Sequence, residues 1–117
     1  MSPPYTPAVR AGDWIAVSGQ VPLRGDRFLT DRPFAEQVDG VLANVADRLA
    51  EHGATLADVV KTTVFLADMA DYAVLNERWV AAFAEPRPAR SAVAVAELPF
   101  GVRLEVEAWA HVPASAG

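Results

Sequence analysis

The sequence predicts an α+β domain: a mixed β-sheet with two helices packed on one of its faces. Segments 33–52 and 72–83 repeat apolar residues at helical spacing. The segments around them are β-branched or alternate with a period of two, and the connections are short. Each helix carries one apolar stripe, so both lie on the same side of the sheet, and the other face needs a cover. A second copy of the chain is the natural candidate, making the protein a subunit of a homo-oligomer.

Trp14 to Val21 reads as a buried strand between Gly12-Asp13 and Pro22, and Arg24-Gly25-Asp26 as a turn. Phe28-Leu29 is expected to return against the first strand as a hairpin. From Pro33 to His52 the residues Phe34, Val38, Val41, Leu42, Val45 and Leu49 fall on one helical stripe. Asp31 is placed to cap that helix, Pro33 suits its first turn, and Gly53 its C-terminal end. Thr55 and Asp58 have capping-box spacing, which predicts a single helical turn.

Val59 to Ala67 predicts a strand with Val60, Thr62, Val64 and Leu66 on one face, closed by Asp68 and Asp71. A second helix runs from Tyr72 to Phe83, with Tyr72, Leu75, Trp79 and Phe83 on one face and Asn76 beside them; Pro86 and Pro88 end it. Two strands, Ser91–Ala96 and Val102–Val112, flank a turn at Leu98-Pro99-Phe100-Gly101. In the last strand Val102, Leu104 and Val106 face one way, and Arg103, Glu105 and Glu107 the other. The 117 residues suit a single domain spanning 1–117, with 113–117 as a disordered tail.

Composition narrows the function classes. The absence of cysteine excludes disulfides, thiolate metal sites and a cysteine nucleophile, and fits a reducing compartment. A 52% apolar fraction with three Trp and five Phe leaves more apolar surface than one small core hides, unless the many alanines inflate the figure. A net charge of −5 argues against nucleic acid as the main partner. The N-terminus has no signal-peptide pattern and no apolar run reaches spanning length, so neither membrane nor secretion is expected, and the expected location is the cytoplasm.

Arg90, in Pro88-Ala89-Arg90-Ser91, stands between a proline-rich loop and a strand, where a rigid backbone aims its guanidinium. A planar fork of donors matches a carboxylate, so a small carboxylic acid is the natural ligand; alone, such an arginine is more often a surface ion-pair partner. Glu105 and Glu107 resemble an acid/base pair, but carboxylates two apart are usually a strand's solvated face. Glu105 gains weight if it faces Arg90. Ser18 lacks a nucleophile elbow and any histidine at useful spacing, and His52 and His111 stand alone. Neither a metal cluster nor a glycine-rich phosphate loop emerges, so no metal and no nucleotide cofactor are expected.

In their joint order these segments resemble the RidA family of imine deaminases, also called YjgF or L-PSP. The resemblance rests on Pro4-Tyr5, Val17-Ser18-Gly19-Gln20-Val21-Pro22, and the run from Asp58 to Asp68. It continues through Asn76, Phe83, Pro88-Ala89-Arg90-Ser91, and Leu98-Pro99 leading to Leu104-Glu105-Val106-Glu107-Ala108. It implies a chorismate-mutase-like α+β homotrimer with sites between subunits and no cofactor. The implied reaction is hydrolysis of 2-imino acids to 2-keto acids and ammonia. The resemblance casts Arg90 as the carboxylate-binding arginine and Glu105 as the group that positions water, with Tyr5, Ser18, Gly19 and Asn76 lining the pocket. Two departures touch that pocket. Ala92 stands where many members have a cysteine, and Ala84-Glu85-Pro86-Arg87 is a shortened loop with Arg87 where an aromatic is common.

Two other functions remain beside the enzyme. One is a non-catalytic trimer that binds small carboxylates or a partner protein; the other is a ribonuclease, which the acidic charge disfavours.

Overall fold

The structure is a computed structural model that describes residues 2–113. The tail expected at 113–117 therefore lies outside the described residues, Pro113 excepted. In chain order the elements are β1 (Ala8–Ala11), β2 (Trp14–Gln20), β3 (Leu23–Arg24), β4 (Arg27–Phe28), α1 (Phe34–Ala50), β5 (Val59–Leu66), α2 (Tyr72–Ala82), β6 (Ala89–Ala94) and β7 (Leu104–His111). Five strands form one mixed sheet in the order β1-β2-β7-β5-β6, in which only the β5–β6 pair is parallel.

Both helices pack on the same face, as their stripes predict. Phe34, Val38, Val41, Leu42, Val45 and Leu49 of α1 join Leu75 and Trp79 of α2 over Ile15, Val17, Val64, Leu66, Leu104 and Val106 in one core. Each such side chain, fully buried, favours the fold by roughly 1.5–3 kcal/mol. At the end of α1, Ala54 N–H donates to the Leu49 carbonyl and Gly53 N–H to that of Ala50. Gly53 takes φ +75 to close this motif, and Ala54 buries its methyl against the core. The expected turn at Thr55 is also present: Leu56–Asp58 is one 3₁₀ turn, and Thr55 N–H donates to Asp58 Oδ2 at 2.8 Å.

Several expectations need correction. Phe28-Leu29 does not pair with the first strand; Arg27–Phe28 pairs with Leu23–Arg24 in a separate two-stranded ribbon. The hairpin partner of β2 is instead β1, whose Ala8 lies opposite Val17, while β7 lies on its other side. Prolines 3, 4 and 7 obscure that short strand in the sequence. Nor is β2 wholly buried, because Ile15 and Val17 enter the core while Trp14 remains 42% exposed. Asp31 does not cap α1. Its carboxylate pairs with Arg27 at 3.2 Å, and Pro33 occupies the cap position without a side-chain bond.

Val60 leaves the face assigned to it. The β5–β7 register shifts between Val59 and Lys61, so Val59, Thr62, Val64 and Leu66 are buried and Val60 is exposed. Strand β6 starts at Ala89 rather than Ser91, and β7 spans Leu104–His111, after a 3₁₀ turn at Pro99–Gly101. Arg103 precedes β7 and does not share the carboxylates' face. Its Nε donates to Asp71 at 3.1 Å and its guanidinium lies 5.0 Å from the centre of the Phe34 ring. Asp71, expected at the strand's end, is thus a buried ion-pair partner.

The face of the sheet away from the helices is uncovered. It presents Trp14, Trp109 and His111, with Trp14 and Trp109 in edge contact at 6.5 Å and Trp109 47% exposed.

Candidate active site

Arg90 is held from the helix side. It lies opposite Thr62 on β5, a buried residue, so its side chain emerges on the face that carries α2. Residues 72, 76 and 79 recur at helical spacing along α2 and meet it there. Arg90 Nη2 donates to Asn76 Oδ1 at 2.7 Å and to the Tyr72 hydroxyl at 3.2 Å. The guanidinium carbon lies 5.2 Å from the Trp79 ring centre and 5.4 Å from that of Tyr72. All these partners are neutral, so the positive charge is oriented without being cancelled. Among the described residues nothing bonds to Nη1 or Nε. That leaves donors for an anion.

Glu105 is organised on the opposite face. It lies across from Phe65, one step out of phase with the buried pair Val64 and Val106. The β2–β7 register slips between Val17 and Gln20, which brings Gly19 over the glutamate. A Cβ on Gly19 would stand 2.6 Å from Glu105 Oε2, so any other residue there would push the carboxylate out of this position. Burial, and secondly the charge of Glu107, push the Glu105 carboxyl above its ordinary value. A carboxyl so poised accepts and returns a proton more readily near neutral pH.

Arg90 and Glu105 therefore do not face one another within one chain: they project from opposite faces of the same sheet. The structure pairs Arg90 with Asn76 and Glu105 with Gly19. Ser18 is occupied by structure, its hydroxyl donating to the Thr6 carbonyl at 2.7 Å and its N–H to that of Pro7. It thereby ties the N-terminal segment to β2. Tyr5, 57% exposed, shares a cleft of about 580 Å³ with Gly19 and Gln20. Neither Arg90 nor Glu105 lines that cleft. Ala92 is half-buried beneath the Arg90 side of the sheet and packs on the core.

With this arrangement in view, similarity to known proteins is informative. The family model described as Endoribonuclease L-PSP matches residues 1–112. The chain belongs to the L-PSP family, the one its motifs resemble. It is 41% identical over 109 residues to a RutC family protein of Pyrococcus abyssi, covering 92% of this chain and 86% of that one. It is 39% identical over 110 residues to the 2-iminobutanoate/2-iminopropanoate deaminase of Escherichia coli, with coverage of 92% and 86%. The crystal structure of RidA from the Antarctic bacterium Psychrobacter superposes with a TM-score of 0.89 at 38% identity, covering 96% of this chain and 91% of that one.

The chain also has a brace that its helical periodicity does not reveal. Tyr72 and Trp79 fall on the apolar stripe by spacing, yet they flank Arg90. The signal is their shared face with Asn76, since Tyr, Asn and Trp each carry a polar group. Among the described residues, no group of three or more His, Asp or Glu is arranged to hold a metal, and no helix is long and apolar enough to cross a membrane.

Proposed function

We propose that the protein is a hydrolytic imine deaminase converting 2-imino acids to 2-keto acids and ammonia. The observation that carries this reading is Arg90, fixed by Asn76 and Tyr72 with no carboxylate partner among the described residues, a cation awaiting a small anion. The 39% identical Escherichia coli protein, named for this reaction on 2-iminobutanoate and 2-iminopropanoate, supports it.

In the proposed reaction Arg90 binds the substrate carboxylate and so places the imine carbon. Glu105 takes a proton from water as the water oxygen bonds to that carbon and the C=N pair moves to nitrogen. With the imine protonated at the start, Glu105 returns that proton to the amine nitrogen, the C–N bond breaks and ammonia leaves. The hydroxyl proton passes to solvent water as the C=O bond of the ketone forms. An imine carbon is already electrophilic, so orientation and one proton carrier suffice.

Because Arg90 and Glu105 lie on opposite faces, we place the working site between two copies, Arg90 with Asn76 from one and Glu105 with Gly19, Ser18 and Tyr5 from the next. A homotrimer of single-domain chains, the exposed Trp14 and Trp109 face turned inward, meets this need and covers the uncovered face. Light scattering reads the assembly state directly.

The activity test generates 2-imino acids in situ with an amino-acid oxidase and traps the remainder with semicarbazide. The wild type is expected to suppress trapping and folded Arg90→Ala to fail. Saturable keto-acid binding without any turnover would instead make the protein a non-catalytic binder. RNA cleavage that survives Arg90→Ala would restore the ribonuclease reading.

A further inference from the structure

We infer that Arg87 forms a second anion subsite beside Arg90, making 2-imino acids with an additional side-chain carboxylate the preferred substrate class. The inference rests on the deaminase reading for the word substrate, but its structural basis is independent of turnover.

Arg87 and Arg90 line one cavity of about 270 Å³ together with Asn76, Trp79, Val80 and Pro88. That volume lies just below the roughly 300–1,000 Å³ of pockets for drug-sized ligands, which suits a small acid. Two of its six lining residues are arginines and none is acidic. Arg90 is braced by Asn76 and Tyr72, so Arg87 is not needed to orient it. The recorded partner of Arg87 is Glu85, two residues away, at 3.1 Å. The Glu85 side chain is 81% exposed and does not line the cavity. An ion pair so wet is weak and exchanges readily for a better anion.

Two arginines lining one small space raise its potential, and a monoanion offsets only one of them. A ligand with carboxylates at both ends satisfies both, its α-carboxylate on Arg90 and its distal carboxylate on Arg87. Trp79, Val80 and Pro88 supply the apolar wall for the short carbon chain between. A 2-imino acid with an alkyl side chain would leave Arg87 on its exposed glutamate and gain nothing from it.

The test uses the intact oligomeric protein in two arms. In the first, calorimetry compares binding of 2-oxoglutarate and 2-oxobutanoate, stable keto-acid probes that differ in the distal carboxylate. Wild type is expected to favour 2-oxoglutarate by about tenfold, as one charge-assisted contact predicts, with the preference shrinking as salt rises. Arg87→Ala should abolish the ratio and Arg87→Lys should retain part of it, with circular dichroism confirming the fold of each. In the second arm, imines made by an aspartate oxidase are compared with alkyl imines in the trapping assay, and Arg87→Ala should collapse the same ratio in kcat/KM. A wild-type ratio at or below one, or one unmoved by Arg87→Ala, overturns the subsite while turnover of alkyl imines still upholds the deaminase. A dicarboxylate binding preference without turnover of any imine upholds the subsite and removes the deaminase.

Discussion

The two halves of the candidate site are built by contrasting means. Arg90 is fixed by added side chains: Asn76, Tyr72 and Trp79 approach it from α2 with hydrogen bonds and aromatic faces. Glu105 is fixed by a missing one, since Gly19 leaves the volume that its carboxylate fills. The first half is a cation whose neutral partners leave its charge uncancelled; the second is an acid made weaker by burial. They stand on opposite faces of one thin sheet, so the same fold that forms both prevents a single chain from joining them.

Removing each half should show this contrast, beginning with the largest effect. Arg90→Ala deletes the anion contact and the orientation it gives. We expect kcat/KM for imine hydrolysis to fall by at least about a hundredfold, with the melting temperature little changed. Gly19→Ala should come next. Its new methyl cannot occupy the space of Glu105 Oε2, so the carboxylate is displaced and kcat is expected to fall by about tenfold or more. A fall in KM-dependent terms alone would instead mean that Gly19 shapes binding and not the proton carrier.

Within the first half, Asn76→Ala should raise KM several-fold and Tyr72→Phe less. The Arg90–Asn76 bond is 2.7 Å long, whereas the bond to Tyr72 is 3.2 Å and its ring contact survives in phenylalanine. Equal effects would show that the two hydrogen bonds orient the guanidinium alike, and no effect of either would show that hydrogen bonding does not set its direction.

The smallest expected effect concerns stability. The Glu105 carboxyl is raised above its ordinary value of 4.5 chiefly by burial, so the folded state favours its protonated form. Its favourable contribution is full at pH below that ordinary value and is lost as pH rises through the folded-state value. Glu105→Gln, neutral throughout, should therefore melt higher than wild type at neutral pH. The gap should close on acidification, and thermal melts between acid and neutral pH read it while activity is lost.

The sequence showed much of the fold, for reasons visible in particular residues. The α1 stripe and the Gly53 closure follow from helical period and backbone freedom, which are local properties. Strand β1 escaped notice because four residues after a run of prolines acquire strand character only through pairing with β2. Alternation within β5 puts Val60 on the buried face, but the bulge that turns it outward depends on the partner strand. Asp31 matched a cap by spacing, but Arg27, four residues earlier, holds its carboxylate. At the candidate site, the rigid Pro-Ala-Arg context singles out Arg90 and the edge of the α2 stripe singles out Asn76, and the structure joins the two by a 2.7 Å hydrogen bond. The roles of Tyr72 and Trp79 as a brace, and the separation of Arg90 from Glu105, depend on strand register that no single segment encodes.

Subunit complementation tests most directly whether the two halves meet across chains. Arg90→Ala and Glu105→Gln proteins, each inactive, are mixed, dissociated and reassembled, and imine hydrolysis is measured. If Arg90 of one copy works with Glu105 of the next, random assortment restores about one site in four and activity returns. If the mixed oligomers form and stay as inactive as their parents, the two residues do not act across an interface, and the site proposed between copies is wrong.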